Sequence, residues 1–420
     1  MRLTKKSCLL LVIVGVIVLW MFFPLHPLDL WGSKHIYSYS WLNYSDADGG
    51  PENKCDCPAI LQGDSKALEQ AKTLTSTKDF QKSITIPNEY YINASQDCRN
   101  FKASRKYLTI PLSRVEEDFP LAYSVVVHHK VQNFERLLRA IYAPQNIYCV
   151  HVDKKSDASV YSAIGAITSC FPNVFTSTLW LTMVYAAWPR VQADINCMAD
   201  LYNAKTKWKY FINLCGQDFP LKTNLEIVNA LLSLRGDNSM ESEQMPEGKK
   251  DRVTHTYKIV NGQNQPTGNE KEPPPFNLPI LTGSAYIVVN RGYVRSVLED
   301  SRIPALIEWS KDTFIPDETF WATIQRLPGV PGSKRPHPKY DMTDMNAIVR
   351  MVKWQGHEGT VYPECHGHHV RDVCVYGFGD VQWLLQQHHL FANKFDTDID
   401  PIAVYCLEKY LREKALAELF

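Results

Sequence analysis

The sequence predicts an α/β domain built on a parallel sheet and carried behind a membrane anchor and stem. Three observations lead there. Strand and helix patterns alternate from about Phe119 onward, the strand runs are apolar throughout as in a buried parallel sheet, and a single uncharged apolar run stands at the N-terminus.

The first strand is "LAYSVVVHH", and "NFERLLRAIYAP" follows it with Phe134, Leu137, Leu138 and Ile141 at helical spacing. The second strand, "NIYCVHVD", completes a βαβ unit, which requires a parallel pair and a right-handed crossover. The alternation continues through a helix near 160–169, the strand "NVFTS", a helix on Trp188, Val191, Ile195 and Met198, and the strand "KYFINL". Residues 236–278 are polar and contain Pro273 to Pro275, after which "PILTGSAYIVVN" returns to strand. Open α/β sheets bind ligands beyond the C-terminal ends of their strands, so His128, Asp153 and the loop after Leu214 are candidate site positions.

Arg2, Lys5 and Lys6 precede an apolar run from Cys8 to Phe23. With its flanks that run approaches the roughly 17–25 residues a spanning helix needs, and bulky residues stand where a signal-peptidase site would lie. A cleaved signal peptide is the rival reading, but the pattern favours a retained anchor with the rest of the chain on the luminal side. The expected organisation is a cytoplasmic tail at 1–6, a transmembrane segment at 7–25, a luminal stem at 26–97 and a globular domain at 98–420. Ten of eleven cysteines follow the span without CxxC pairs, which suits an oxidising compartment. Asn43 and Asn93 begin glycosylation sequons. The 45 basic and 45 acidic residues balance, which argues against bulk nucleic-acid binding.

"FIPDETFWATIQRL" places Asp317 and Glu318 at the start of an apolar-periodic helix. Helix capping accounts for the pair, while one carboxylate can also face a cleft as a general base. "CHGHHVRDVC" suggests a metal site at first, but its spacing fits neither a zinc finger nor an HExxH helix. A short loop closed by a disulfide would instead stiffen Arg371, whose fork of donors suits a phosphate oxygen. Lys394 in "HHLFANKFD" offers a second cation. The acids of "DTDID", 396–400, read as a cap or solvated face rather than a metal loop.

"YSVVVHHKVQNFERLLRAIYAPQNIYCVHVDKK", "KYFINLCGQDFPLKTNLEIV", "LTGSAYIVV", "PDETFWATIQR", "YDMTDMNAIVRMVKWQGHEG" and "VCVYGFGD...HHLFANKFD" occur in this order across roughly residues 57–420. Together they resemble the core 2 β1,6-N-acetylglucosaminyltransferase family, Golgi enzymes that branch mucin-type O-glycans. The resemblance implies a GT-A-like fold, inverting transfer from UDP-GlcNAc to O-glycan acceptors on glycoproteins, and no metal or other cofactor. It places nucleotide-sugar contacts at Val126, Val127, His128, Asp153, Lys154, Lys155, Tyr185, Lys249 and Arg252, with Arg371 and Lys394 neutralising the diphosphate. Acceptor contacts fall on Glu241, Lys249, Arg252 and Trp354, and the catalytic base on Glu318. The implied disulfides are Cys57 with Cys406, Cys98 with Cys170, Cys149 with Cys197 and Cys365 with Cys374. Cys55 and Cys215 fall outside these pairs, and Cys55 in the stem is available to bridge a homodimer. Metal-dependent relatives of such enzymes set a second acid two residues after the position of Asp153, where this chain has Lys155.

Val253 stands where the family usually has tryptophan, Gly356 where one branch has tyrosine, and the loop from Gly359 to Cys365 is shortened. These departures bear on acceptor choice among core 1, core 3 and linear poly-N-acetyllactosamine chains, the last of which would make this an I-branching enzyme. A glycoside hydrolase would need two carboxyls flanking the scissile bond, roughly 5–9.5 Å apart, whereas Asp317 and Glu318 are sequence neighbours that project apart. A non-catalytic luminal lectin would have no use for Glu318, Arg371 and Lys394 together.

Overall fold

Every residue of β1 (Leu121–Val127) is buried, because this strand is paired on both edges and covered on both faces. The computed structural model describes residues 55–333 and 347–419, so the expected anchor at 7–25 and the sequon at Asn43 lie outside the described residues. No described helix is long and apolar enough to cross a membrane.

From β1 the chain enters a helix (Val131–Ile141) and returns as β2 (Ile147–Val152), parallel to β1 with Val127 opposite Val152. A second helix (Ala158–Ser169) leads to β3 (Val174–Thr176), and a third (Pro189–Asn203) leads to β4 (Tyr210–Cys215), which lies on the other side of β1. An antiparallel strand at Val288–Asn290 closes that edge next to β4. Alternation along β1 sends Tyr123, Val125 and Val127 into one apolar layer with Phe134, Leu137 and Ile164. Ala122 and the neighbouring Cys149 and Phe211 face the opposite layer, with Val191, Met198 and Trp321. The sheet is therefore sandwiched between helices, and its C-terminal strand ends, at residues 127, 152 and 215, open on one side.

A smaller three-stranded sheet flanks it, with Phe391–Asn393 at its centre, Arg350–Val352 parallel on one edge and Asp218–Pro220 antiparallel on the other. The polar stretch 236–278 contains an unpredicted hairpin, His255–Val260 with Gln263–Glu270, turned by Asn261 and Gly262 at φ 51° and 76°. An Asn-Gly pair in that conformation is the favoured two-residue hairpin turn.

Residues 57–97, read from the sequence as stem, form helices at Cys57–Leu61, Ser65–Thr75, Lys78–Ile84 and Asn88–Ala94, and they belong to the same compact unit as the sheet. Disulfides fasten this end: Cys57 bonds Cys406 in the last helix (Pro401–Ala417), and Cys98 bonds Cys170 after the second crossover helix. Cys149–Cys197 and Cys365–Cys374 complete the same four pairs that the resemblance implies. Asn93 is exposed.

The helix at Val131–Ile141 is fixed to its surroundings by buried charge. Arg105 donates to both oxygens of Glu135 (3.2 and 2.7 Å), and Arg136 and Arg139 both reach Glu408. Burial opposes ionisation of Glu135, but the surrounding arginines outweigh it and hold its pKa down to about 2. Removing one partner of such a pair strands a buried charge. Arg105→Met should therefore destabilise the domain by about 3–5 kcal/mol in urea unfolding, whereas a surface exchange such as Arg114→Met should stay within about 0.5 kcal/mol.

Candidate active site

Of the expected site residues, Val126, Val127, His128, Asp153, Lys154 and Lys155 stand at the C-terminal ends of β1 and β2. Asp153, directly after β2, is 4% exposed, and its Oδ1 accepts hydrogen bonds from the backbone N–H groups of Lys155 and Met183, each at 3.0 Å. Its Oδ2 lies 4.0 Å from the Lys155 ammonium. The carboxylate thus orders two loops, and a lysine stands where a second acid would complete a metal site. The Val126 and Val127 side chains are buried, and their carbonyls accept from Gly216 and Asp153. These two residues shape the strand end with their backbone. Burial first, then His129, hold the pKa of His128 down to about 4, with Lys155 and Arg371 acting in the same direction against Asp153. His128 is therefore a neutral imidazole at neutral pH. Lys154 and Lys155 are exposed.

Arg371 occupies the tip of a two-residue hairpin between His368–Val370 and Val373–Val375, with Arg371 and Asp372 at φ 52° and 62°. That conformation favours Asn-Gly, so an Arg-Asp pair needs external support. The Cys365–Cys374 disulfide supplies it at the hairpin base. The guanidinium of Arg371 lies over the Tyr185 ring, 4.8 Å from its centroid, which orients the planar fork. Lys394 follows the central strand of the small sheet. Its N–H donates to the Cys374 carbonyl, and its own carbonyl accepts from Tyr376, so its backbone is tied to the same hairpin. Burial lowers the Lys394 pKa, with Arg371 adding to the effect and Cys215 opposing it. Two neighbouring cations are thereby presented beside the strand ends that hold Asp153 and His128.

Glu318 lies on a second segment, and here the helix-cap expectation needs correction. Ile315, a β-branched residue, takes the left-handed conformation at φ 50°, and a 3-10 turn at Pro316–Glu318 precedes the helix Phe320–Ile324. No side chain caps that helix. The Glu318 carboxylate instead accepts from Arg252 Nη1 at 2.6 Å and sits 3.5 Å from Lys249 Nζ. Backbone bonds hold the segment: Ile315 N–H to Ala186 carbonyl, Phe314 N–H to Arg252 carbonyl, and Gly283 N–H to Glu318 carbonyl. A Cβ at Gly283 would collide with the Glu241 carbonyl, so glycine is what allows the Glu241 and Glu318 backbones to flank it closely. The 255–270 hairpin braces this loop through Asn264, which donates to Ala186, and through Tyr257, which stacks on Phe314.

Trp354 is 37% exposed and pairs in antiparallel fashion with Val373, beside the Arg371 tip. It is accessible, as a platform for a sugar face requires. Lys130 Nζ pairs with Asp396 Oδ2 at 2.5 Å and Asp398 Oδ2 at 2.9 Å, while Asp400 caps the last helix by accepting from Ala403. The 396–400 acids are thus held by a lysine and a helix end. The sequence does not mark Lys130, Tyr286, Asp218, Arg350 and Asn393, because none of them stands in a spacing that signals a site.

Asp317, next to Glu318, behaves differently. Burial raises its pKa to about 6, Arg190 opposes the rise and Glu318 adds to it. A carboxyl whose folded pKa is raised stabilises the fold fully only below the unfolded value near 3.9, and that contribution is lost as pH rises through about 6. Asp317→Asn lacks this titration, so its melting temperature relative to wild type should improve as pH is raised from 4.5 to 7.5. A constant difference across that range would contradict the assignment.

The profile of the Core-2/I-Branching enzyme family matches residues 121–385. A human protein named beta-1,3-galactosyl-O-glycosyl-glycoprotein beta-1,6-N-acetylglucosaminyltransferase is 51% identical over 378 residues, 89% of this chain and 88% of that one. A sheep protein of the same name with the suffix 3 is 53% identical over 366 residues, 86% and 83% of the two chains. Among solved structures, apo mouse xyloside xylosyltransferase 1 aligns at a TM-score of 0.28 and 10% identity, covering 65% of this chain and 97% of that one, too distant to bear on the fold. The matched span holds β1, the strand ends, the Glu318 loop and the Arg371 hairpin, and on this evidence the chain belongs to the core-2/I-branching enzyme family.

Proposed function

We propose that this β1,6-N-acetylglucosaminyltransferase carries out an inverting, metal-independent transfer of GlcNAc from UDP-GlcNAc to the 6-hydroxyl of GalNAc in core 1 O-glycans on glycoproteins. Core 3 is a second candidate acceptor. The observation that carries the reading is the placement of the Glu318 carboxylate, held by Arg252 at 2.6 Å on a loop whose backbone is bonded to the segment bearing Tyr185, over which Arg371 lies. The base and the diphosphate cations thus approach one site from two braced segments.

In the reaction Glu318 removes the proton of the acceptor hydroxyl as that oxygen bonds to the anomeric carbon of GlcNAc. The bond from that carbon to the β-phosphate oxygen breaks, and its electron pair leaves with UDP. The negative charge that develops there is met by charge-assisted hydrogen bonds from Arg371 and Lys394. UDP needs no protonation to depart, so one carboxylate suffices. Lys249, Arg252 and Glu241 orient the acceptor hydroxyls, and Trp354 supports a sugar face.

The same reading places the enzyme in the Golgi membrane as a single-pass type II protein. The basic residues before the apolar run at Cys8–Phe23, the four disulfides and the exposed sequon at Asn93 support that orientation.

The test is Glu318→Gln, which keeps shape and removes basicity. Transfer from UDP-GlcNAc to a core 1 acceptor should fall by about 10²–10⁴-fold while UDP binding persists. Turnover within a few-fold of wild type would exclude Glu318 as the base.

A further inference from the structure

Beneath Lys394 lies a buried polar cluster that the reaction does not use directly. Asn393, 4% exposed, donates from Nδ2 to Asp218 Oδ1 at 2.7 Å and to Cys215 Sγ at 3.3 Å. Asp218 Oδ2 accepts from the Cys215 N–H at 2.5 Å and pairs with Arg350 Nη2 at 3.0 Å. The same Arg350 nitrogen donates to the Asn213 carbonyl at 3.1 Å, and the guanidinium lies 3.5 Å from the centroid of the Tyr286 ring. Arg350 and Asp218 are 1% and 0% exposed.

The cluster joins two sheets. Asn213 and Cys215 belong to the end of β4, next to the strand carrying Val126 and Val127. Asp218, Arg350 and Asn393 come from the three strands of the small sheet, with Asn393 opposite both Asp218 and Val352. Lys394 is the next residue. Its backbone is pinned to the Arg371 hairpin on one side, through Cys374 and Tyr376, and Asn393 fixes it to the main sheet on the other.

We propose that Asn393 is a positioning residue for Lys394, setting the lysine against a diphosphate by tying its strand to Asp218 and the end of β4. The side chain must donate to a carboxylate and a thiol at once, which an amide does. An aspartate would oppose Asp218, and serine is too short to reach both partners.

The inference rests on the reading of Lys394 as a diphosphate ligand, so the test separates the two. Affinities for UDP and for uridine, which has no phosphate, are measured on wild type, Asn393→Ala, Lys394→Ala and the double variant. Asn393→Ser replaces the alanine variant if folding yield falls, because its hydroxyl keeps the pocket polar. Asn393→Ala should weaken UDP about tenfold and uridine by less than about twofold, and it should cost less than a further twofold in the Lys394→Ala background. Equal losses for UDP and uridine would mean general distortion and overturn the proposal. So would full additivity with Lys394→Ala, or UDP affinity unchanged in the Asn393 variants. If Lys394→Ala alone binds UDP as wild type does, the reading of Lys394 fails, and the positioning role fails with it.

Discussion

The loops beyond β1 and β2 are organised around the Asp153 carboxylate. A strand ending in an acid at the mouth of an α/β sheet is half of a cation site, and such a site needs at least one more hard oxygen donor nearby. In this chain two backbone N–H groups occupy Oδ1, and the Lys155 ammonium lies beside Oδ2. Asp153 therefore acts as a junction that holds the loops at 153–156 and 181–186 together. On the proposed reading, a diphosphate at these strand ends takes its positive charge from Arg371 and Lys394, and both stand on braced segments.

The two cations are immobilised by different means. Arg371 stands on a turn whose left-handed backbone conformation an arginine disfavours, and a disulfide nine residues wide, backbone pairing and the Tyr185 ring together hold it there. Lys394 is set by neighbours on both sides of its peptide. In the proposed reaction, a cation fixed beforehand is not ordered anew at each encounter with a phosphate, so its charge would act in full on the leaving group. Glu318 follows the same logic, since an unfavourable Ile315 conformation turns the chain so that its carboxylate faces Arg252 instead of the following helix.

The βαβ units were legible because an almost unbroken apolar run at 121–127 is followed by Phe134, Leu137, Leu138 and Ile141 at helical spacing and then by a second such run at 147–152. The Arg371 loop was legible because two cysteines bracket it. Within 57–97 the run "SKALEQAKTL" carries a helical pattern and forms the helix at Ser65–Thr75, whereas the other helices and the attachment of this stretch to the globular unit were hidden, because what fastens it is a bond to Cys406, 349 residues away. The Glu318 turn was read as a helix start because the apolar spacing after it is helical, while the left-handed Ile315 leaves no mark in composition. The 255–270 hairpin did carry a signal, Asn261-Gly262, inside a stretch whose polarity masked it. The cluster around Asn393 spans residues 213 to 393, and single polar residues at such separations form no pattern.

The most direct measurement is transfer from UDP-GlcNAc to a core 1 acceptor by the purified luminal domain, with excess EDTA and then with added manganese. If fixed side-chain cations neutralise the diphosphate, the rate is the same in all conditions, and it falls on replacing Arg371 by alanine without rescue by metal. Loss of activity in EDTA with recovery on manganese would contradict the account, because Asp153 would then be a metal ligand instead of a junction between loops.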